Sequence, residues 1–265
     1  MRPANRITHI LIWSLIIANP LFASVKLQVR EGHPVVDGVY VNGHGPYRFL
    51  IDTGSNVNLI DAALARKIGM NATFQVDLAS AAGKAAAPGS DGNEILLDSA
   101  EAGSQKFLLS RLEAIHRSSP DIQGVLGEWF LSQFDYTLDL RGKQLEFGRQ
   151  SRSGTRSPFT TVNARPIVST SLGHLALDSG QAQLVLFGVQ PDSRPDLRSE
   201  MRTLAGSVQV GIVSAKRLII EGKRFSSGDA VAIPNRPETD VDGLMPLTPF
   251  KTVYVCNSEG YIVFE

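Results

Sequence analysis

Two short stretches carry the residues that could do chemistry: Asp52-Thr53-Gly54-Ser55 and Asp178-Ser179-Gly180-Gln181. Each Asp ends an apolar run, Phe49-Leu50-Ile51 in the first case and Leu175-Ala176-Leu177 in the second. A carboxylate delivered by an apolar strand into a sheltered place needs hydrogen bonds, or a second group to share its proton, because an unpartnered buried charge is costly. A small hydroxyl residue and a glycine follow both Asp residues. The hydroxyls of Thr53 and Ser179 can tie neighbouring loops together, and Gly54 and Gly180 let another backbone approach closely and donate to a carboxylate. If the two stretches meet, Asp52 and Asp178 cannot both ionise, and the pair titrates as a unit holding one proton. The ionised member can then take a proton from a water while the protonated member polarises an amide carbonyl. Chemistry of that kind would be acid–base activation of water for hydrolysis, with Asp52 and Asp178 as the candidate catalytic residues and Thr53, Gly54, Ser55, Ser179 and Gly180 in support.

Positioning these residues falls to β-strands. Val35–Val41 has strand character and ends at Asn42-Gly43, a hairpin signal, and Tyr47–Ile51 is the next strand, leading into Asp52. Glu94–Leu97, Lys106–Leu109, Tyr136–Leu140 and Lys143–Phe147 read as further strands, the last after a turn at Arg141-Gly142. One short helix is expected over Ala62–Ile68, with Asp61 as N-cap and Gly69 just past its end. The pattern is all-β with little helix.

The chain also resembles itself. The segment Gly45–Gly54 is similar to Gly173–Gly180, and apolar residues follow both (Leu59-Ile60; Leu184-Val185-Leu186). Asp121-Ile-Gln-Gly124-Val-Leu is similar to Asp240-Val-Asp-Gly243-Leu-Met. Phe134–Leu140 with Leu145-Glu-Phe147 is similar to Phe250–Cys256 with Ile262-Val-Phe264. The matches fall in one order at nearly the same separations, the mark of a duplicated unit. Between the copies, Gly148–Pro158 is rich in Ser, Gly and Arg and reads as a linker.

With these motifs in place, Phe49-Leu-Ile-Asp52-Thr-Gly-Ser55 followed by Asn56-Val-Asn-Leu-Ile60 resembles the active-site strand of bacterial retropepsin-like aspartic proteases. Gly124-Val-Leu-Gly127 resembles the segment that packs behind the active-site loop in that family. The resemblance covers roughly residues 25–148 and is fainter in the second half, where Gln181 stands in place of Ser, Thr or Ala and Pro246 in place of Gly. It implies two similar acid-protease-like β-barrel lobes with a groove between them: a first lobe over 25–148, a linker over 149–160, and a divergent second lobe over 161–265. It implies an aspartic endopeptidase acting on peptide or protein substrates, with no cofactor and no metal. Two other readings stay open: a homodimer using Asp52 from each chain, and a non-catalytic relative that binds peptides in the groove. By position the flap is Ala79–Gly89 with Lys84 at its tip, and neither half has a pepsin-like flap Tyr.

Composition limits the alternatives. Lys plus Arg (26) balances Asp plus Glu (26) over 265 residues, so no basic field is present to draw nucleic acid or an anionic membrane. One cysteine, Cys256, allows no intrachain disulfide and no Cys-rich zinc site, and it reads as a small buried apolar group. No G-x-S-x-G elbow or G-x-x-x-x-G-K-[ST] loop occurs. Asp121 and Asp240 read as solvated loop residues, and Trp129 and Phe130 as core. At the start, Arg2 and Arg6 precede an apolar run from Ile10 to Ala18, then Asn19-Pro20 and the small residue Ala23. This reads as a signal peptide over 1–24, cleaved near Ala23 or Ser24. The expected product is exported, periplasmic or secreted, without a membrane span, and monomeric unless the homodimer reading holds.

Overall fold

The computed structural model describes residues 23–80, 83–191, 199–203, 206–215, 217–236 and 241–265. Nearly all of the expected signal segment, and Asp240, lie outside the described residues. The fold is mostly β-strand, with three short helices among the described residues.

In the first half, strands Ala23–Arg30, His33–Val41 and His44–Ile51 pair in sequence, antiparallel. Asn42 and Gly43 turn between the last two with φ of 51° and 74°, the left-handed geometry that this dipeptide favours. Strand His44–Ile51 is flanked on its other side by Gly124–Leu126, running parallel, with Phe49 opposite Gly124 and Ile51 opposite Leu126. Gly124–Leu126 in turn pairs antiparallel with Asn58–Asp61, which lies parallel to Ala100–Ser110. The expected helix spans Ala62–Lys67; the Asp61 carboxylate accepts from the Ala63 and Leu64 amides at 2.9 and 3.0 Å, and Gly69 leaves it at φ 74°. Helices Glu113–His116 and Glu128–Leu131 were not foreseen, since four residues give no helical period to read.

The second half repeats these pairings strand for strand. Arg165–Thr170 pairs antiparallel with Gly173–Asp178, which runs parallel to Gly243–Pro246, with Leu175 opposite Gly243 and Asp178 opposite Pro246. Gly243–Pro246 pairs antiparallel with Val185–Phe187, which lies parallel to Asp229–Ile233.

A six-stranded antiparallel sheet joins the halves. Its order is Ala23–Lys26, Gln144–Phe147, Tyr136–Asp139, Val253–Cys256, Tyr261–Phe264 and Thr155–Pro158, and the central pairing sets Leu138 against Val253 and Tyr136 against Val255. The strand Thr155–Val162 therefore begins inside the stretch expected as linker. Its polar residues conceal a strand because its partner, Tyr261–Phe264, comes from the far end of the chain. Under the sheet lie two phenylalanine trios. Phe130, Phe134 and Phe147 have centroids 5.1–6.0 Å apart, and Phe225, Phe250 and Phe264 have centroids 4.6–6.3 Å apart. Each buried ring removes enough apolar surface from water to stabilise the fold by about 1.5–3 kcal/mol. Cys256 is wholly buried.

The hairpin Phe74–Ser80/Gly83–Leu97 occupies the flap position. Lys84, the residue expected at the tip, pairs with Ala79 within the hairpin, and residues 81–82 lie outside the described residues.

Candidate active site

Asp52 and Asp178 leave the ends of equivalent strands and come together. The Asp52 amide donates to the Leu126 carbonyl at 3.0 Å, which anchors the residue where the chain turns away from its strand. The Asp52 Oδ1 atom accepts from the Gly54 and Ser55 amides at 3.0 and 3.2 Å, and the Asp178 Oδ1 atom accepts from the Gly180 amide at 2.8 Å. The two carboxyls share a hydrogen bond.

The hydroxyl residues lock this approach. The Thr53 amide donates to Ser179 Oγ at 3.0 Å and the Ser179 amide to Thr53 Oγ1 at 3.0 Å, while Thr53 Oγ1 donates to the Leu177 carbonyl at 3.1 Å and Ser179 Oγ to the Ile51 carbonyl at 2.7 Å. Both side chains are buried, so these bonds are shielded from competing water. Ser55 acts locally: its hydroxyl donates to the Val57 carbonyl at 2.9 Å, and its own carbonyl accepts from the Glu128 amide at 2.8 Å. Gly127 is held by its amide on Asn58 Oδ1 at 3.0 Å, and a methyl there would stand 2.6 Å from the Ser55 carbonyl.

The glycines have a different use from the one expected. What lies against each is not a second backbone but the opposite carboxyl. A methyl on Gly180 would stand 2.6 Å from Asp52 Oδ1, and one on Gly54 would overlap the Asp178 carboxyl. Each glycine thus donates to the Asp of its own motif and makes room for the Asp of the other.

The two carboxyls are not equivalent. Asp52 keeps part of its surface exposed and has two amide donors; Asp178 is 5% exposed and has one among the described residues. Burial raises the Asp52 carboxyl above its ordinary range, offset in part by the Gly54 and Ser55 amides, the Asp178 hydrogen bond and the charge of His33. Burial and then the Asp52 charge push Asp178 well above the ordinary range. Asp178 is thus the carboxyl held further from ionisation, and Asp52 the one better placed to carry charge. A cavity of about 340 Å³ opens beside them, bordered by Asp52, Ser55, Gly180 and Gln181 and floored by Leu50, Ile115 and Val125.

Three ionisable residues at the site were missed in the sequence. The pairing of Val35 with Leu50 and of Ile167 with Ala176 sets His33 alongside Asp52 and Arg165 alongside Asp178. Both open a similar tetrapeptide, His33-Pro34-Val35-Val36 and Arg165-Pro166-Ile167-Val168, a further self-match that was there to be read. Glu128 follows Gly127 directly, wholly buried, with Oε1 accepting from the Tyr136 hydroxyl at 3.1 Å and Oε2 without a partner among the described residues. Burial, and to a lesser degree the Asp52 charge, hold its carboxyl well above the ordinary range. A lone Glu before Trp-Phe-Leu gives no sequence sign of burial.

Other residues stand apart from the chemistry. Asp121 is more than a solvated loop residue: Arg30 and Arg48 clamp it, which lowers its carboxyl to about 2. Phe130 is core as expected, and Trp129 is half-buried against the cluster around Val57 and Leu59.

No curated protein matches the sequence. Residues 38–130, the stretch that carries Asp52-Thr53-Gly54 and Gly124–Gly127, match the family model described as aspartyl protease, which supports an aspartic protease relationship for this part of the chain.

Proposed function

We propose that this chain is a duplicated, single-chain aspartic peptidase that hydrolyses peptide bonds with a water activated between Asp52 and Asp178. One observation carries the reading: Asp178 of the same chain meets Asp52, with the reciprocal Thr53–Ser179 bonds behind them. A homodimer would need the first half of a second chain at the place that Asp178 fills. The recurring strand pairings and the six-stranded joining sheet support the same choice.

In the reaction, Asp52 removes a proton from the water as its oxygen attacks the scissile carbonyl carbon. Asp178 gives its proton to the carbonyl oxygen, so a gem-diol forms without a free oxyanion. Collapse of the diol re-forms the carbonyl, breaks the C–N bond and passes a proton to the leaving amine. One proton then remains shared by the pair, as at the start.

The test is incubation of purified protein with a mixed peptide library over a range of pH, with new termini read by mass spectrometry, alongside Asp52→Asn and a statine-type inhibitor. Cleavage lost in the variant and blocked by the inhibitor is the expected result. Peptide binding without cleavage at any pH would leave the groove as a binding site and overturn the peptidase reading.

A further inference from the structure

Arg165 brings a cation to the pair that the Asp-Thr-Gly and Asp-Ser-Gly motifs do not announce. Asn163 and Ala164 turn the chain at φ 51° and 67°, and the strand Arg165–Thr170 then runs back along Gly173–Asp178 with Arg165 at the Asp178 end. From there the side chain crosses to the first half, where Nη1 reaches the Gly54 carbonyl at 3.5 Å. Gly54 is the residue whose amide holds Asp52 and whose α-carbon faces the Asp178 carboxyl. Arg165 is half-buried, and among the described residues its Nε has no partner and it forms no ion pair within 4.0 Å. Among the described residues, this half-buried guanidinium is not half of a closed salt bridge. Its positive charge acts on Asp178 and, through the coupled pair, on Asp52.

We propose that Arg165 is a positioning residue of the dyad: laid from the second half across the Gly54 carbonyl, its guanidinium supplies the charge against which the pair holds a single proton, and so sets the pH window of the reaction. This rests on the peptidase reading for its purpose, but not for its measurement. Among the described residues, the ionisable groups that act on the pair are Arg165 from the second half and His33 and Glu128 from the first. Burial holds the Glu128 carboxyl well above the ordinary range, toward its neutral form. Arg165 carries a charge that persists over the whole range. A positive neighbour favours the ionised carboxyl, so it lowers both proton-loss steps of the pair together. Burial still holds both carboxyls above the ordinary range; without Arg165 they would stand higher.

The test is carboxyl titration by NMR on the full chain labelled with carbon-13 at Asp, the two signals being assigned from Asp52→Asn and Asp178→Asn. Arg165→Gln should move both apparent pKa values of the pair up by about one unit, and Arg165→Lys should leave them close to wild type. In a peptide-cleavage assay both limbs of the pH profile should move with them. Unchanged titration in Arg165→Gln, or equal movement in Gln and Lys variants, would overturn the proposal. If Arg165→Gln does not fold, Arg165→Met, with its similar apolar stem, carries the same measurement. Failure of both neutral variants to fold while Arg165→Lys folds would assign the charge to folding and also overturn it. The titration needs no turnover, so an inactive wild type counts against the peptidase reading alone.

Discussion

Thr53 and Ser179 hold each other by exchange: each amide donates to the other's hydroxyl, and each hydroxyl donates to the main chain one strand away, at Leu177 and Ile51. Four buried bonds thus join the halves directly beneath the two carboxyls. The residues on either side of this clasp are the ones that would do the chemistry, so the geometry of the pair is inherited from a structural lock.

Breaking the lock should therefore cost stability as well as activity. Thr53→Val keeps shape but strands the Ser179 amide and the Leu177 carbonyl, and Ser179→Ala does the converse. Each should destabilise by about 1–3 kcal/mol, the cost of buried polar groups left unpaired. A double-mutant cycle read by urea unfolding should show a coupling energy on the order of 0.5–3 kcal/mol. Additive losses would mean that the two hydroxyls do not act as one device.

Gly54→Ala and Gly180→Ala test the closeness of the carboxyls. In each variant the new methyl must displace the opposite Asp, since the neighbouring atom is a carboxyl packed against the glycine rather than a free side-chain end. The expected outcome is loss of peptide cleavage with a stability loss of about 1–3 kcal/mol, the usual range for an overpacked site. Full activity in either variant would contradict the proximity of Asp52 and Asp178.

The pair itself predicts a bell-shaped pH profile. On the proposed mechanism Asp52 works ionised and Asp178 protonated, so activity should fall in acid as Asp52 gains a proton and in alkali as Asp178 loses one. Both carboxyls are raised by burial, which puts both limbs above the ordinary Asp value of about 3.9. Asp52→Asn and Asp178→Asn should each lower kcat by a factor on the order of 10³ or more without loss of fold. An Asp178→Asn protein that is active as a dimer would favour the homodimer reading.

Much of this was legible in the residues, and the limit has a physical cause. Asp52, Thr53 and Gly54, with their echo at Asp178, Ser179 and Gly180, are readable because catalytic and clasp residues are constrained in type as well as place. Period-two apolar runs marked strands such as Tyr136–Asp139. Thr155–Val162 was hidden because its partner is more than a hundred residues away in sequence and its own composition is polar. Arg165 and Glu128 were hidden for the same reason. Their roles arise from what the fold brings beside them, and neither position carries a residue type that announces burial near a carboxylate. His33 and Arg165 could have been found through the shared His/Arg-Pro-apolar-Val pattern, had the comparison of halves been extended toward the N-terminus of each.

Glu128 gives a prediction about stability. Its carboxyl is wholly buried, accepts one hydrogen bond from Tyr136, and lies close enough to Asp52 to feel its charge. Burial holds it well above the ordinary carboxylate range, so the folded protein keeps a proton that the unfolded chain releases above about pH 4.3. A group raised in the folded state contributes its full stability below the unfolded value and loses it progressively as pH rises toward the folded one. Glu128→Gln retains the size and an oxygen to accept from Tyr136, but has nothing to ionise. Urea unfolding of the two proteins at about pH 4 should give nearly equal stabilities, since both side chains are then neutral in either state. Toward pH 8 the wild type should lose stability relative to the variant, and the difference should grow with pH until Glu128 itself ionises in the folded state. A constant difference across that range would mean that Glu128 is not held protonated. A variant that becomes the less stable of the two as pH rises would mean that the buried group is a carboxylate with an unseen cationic partner.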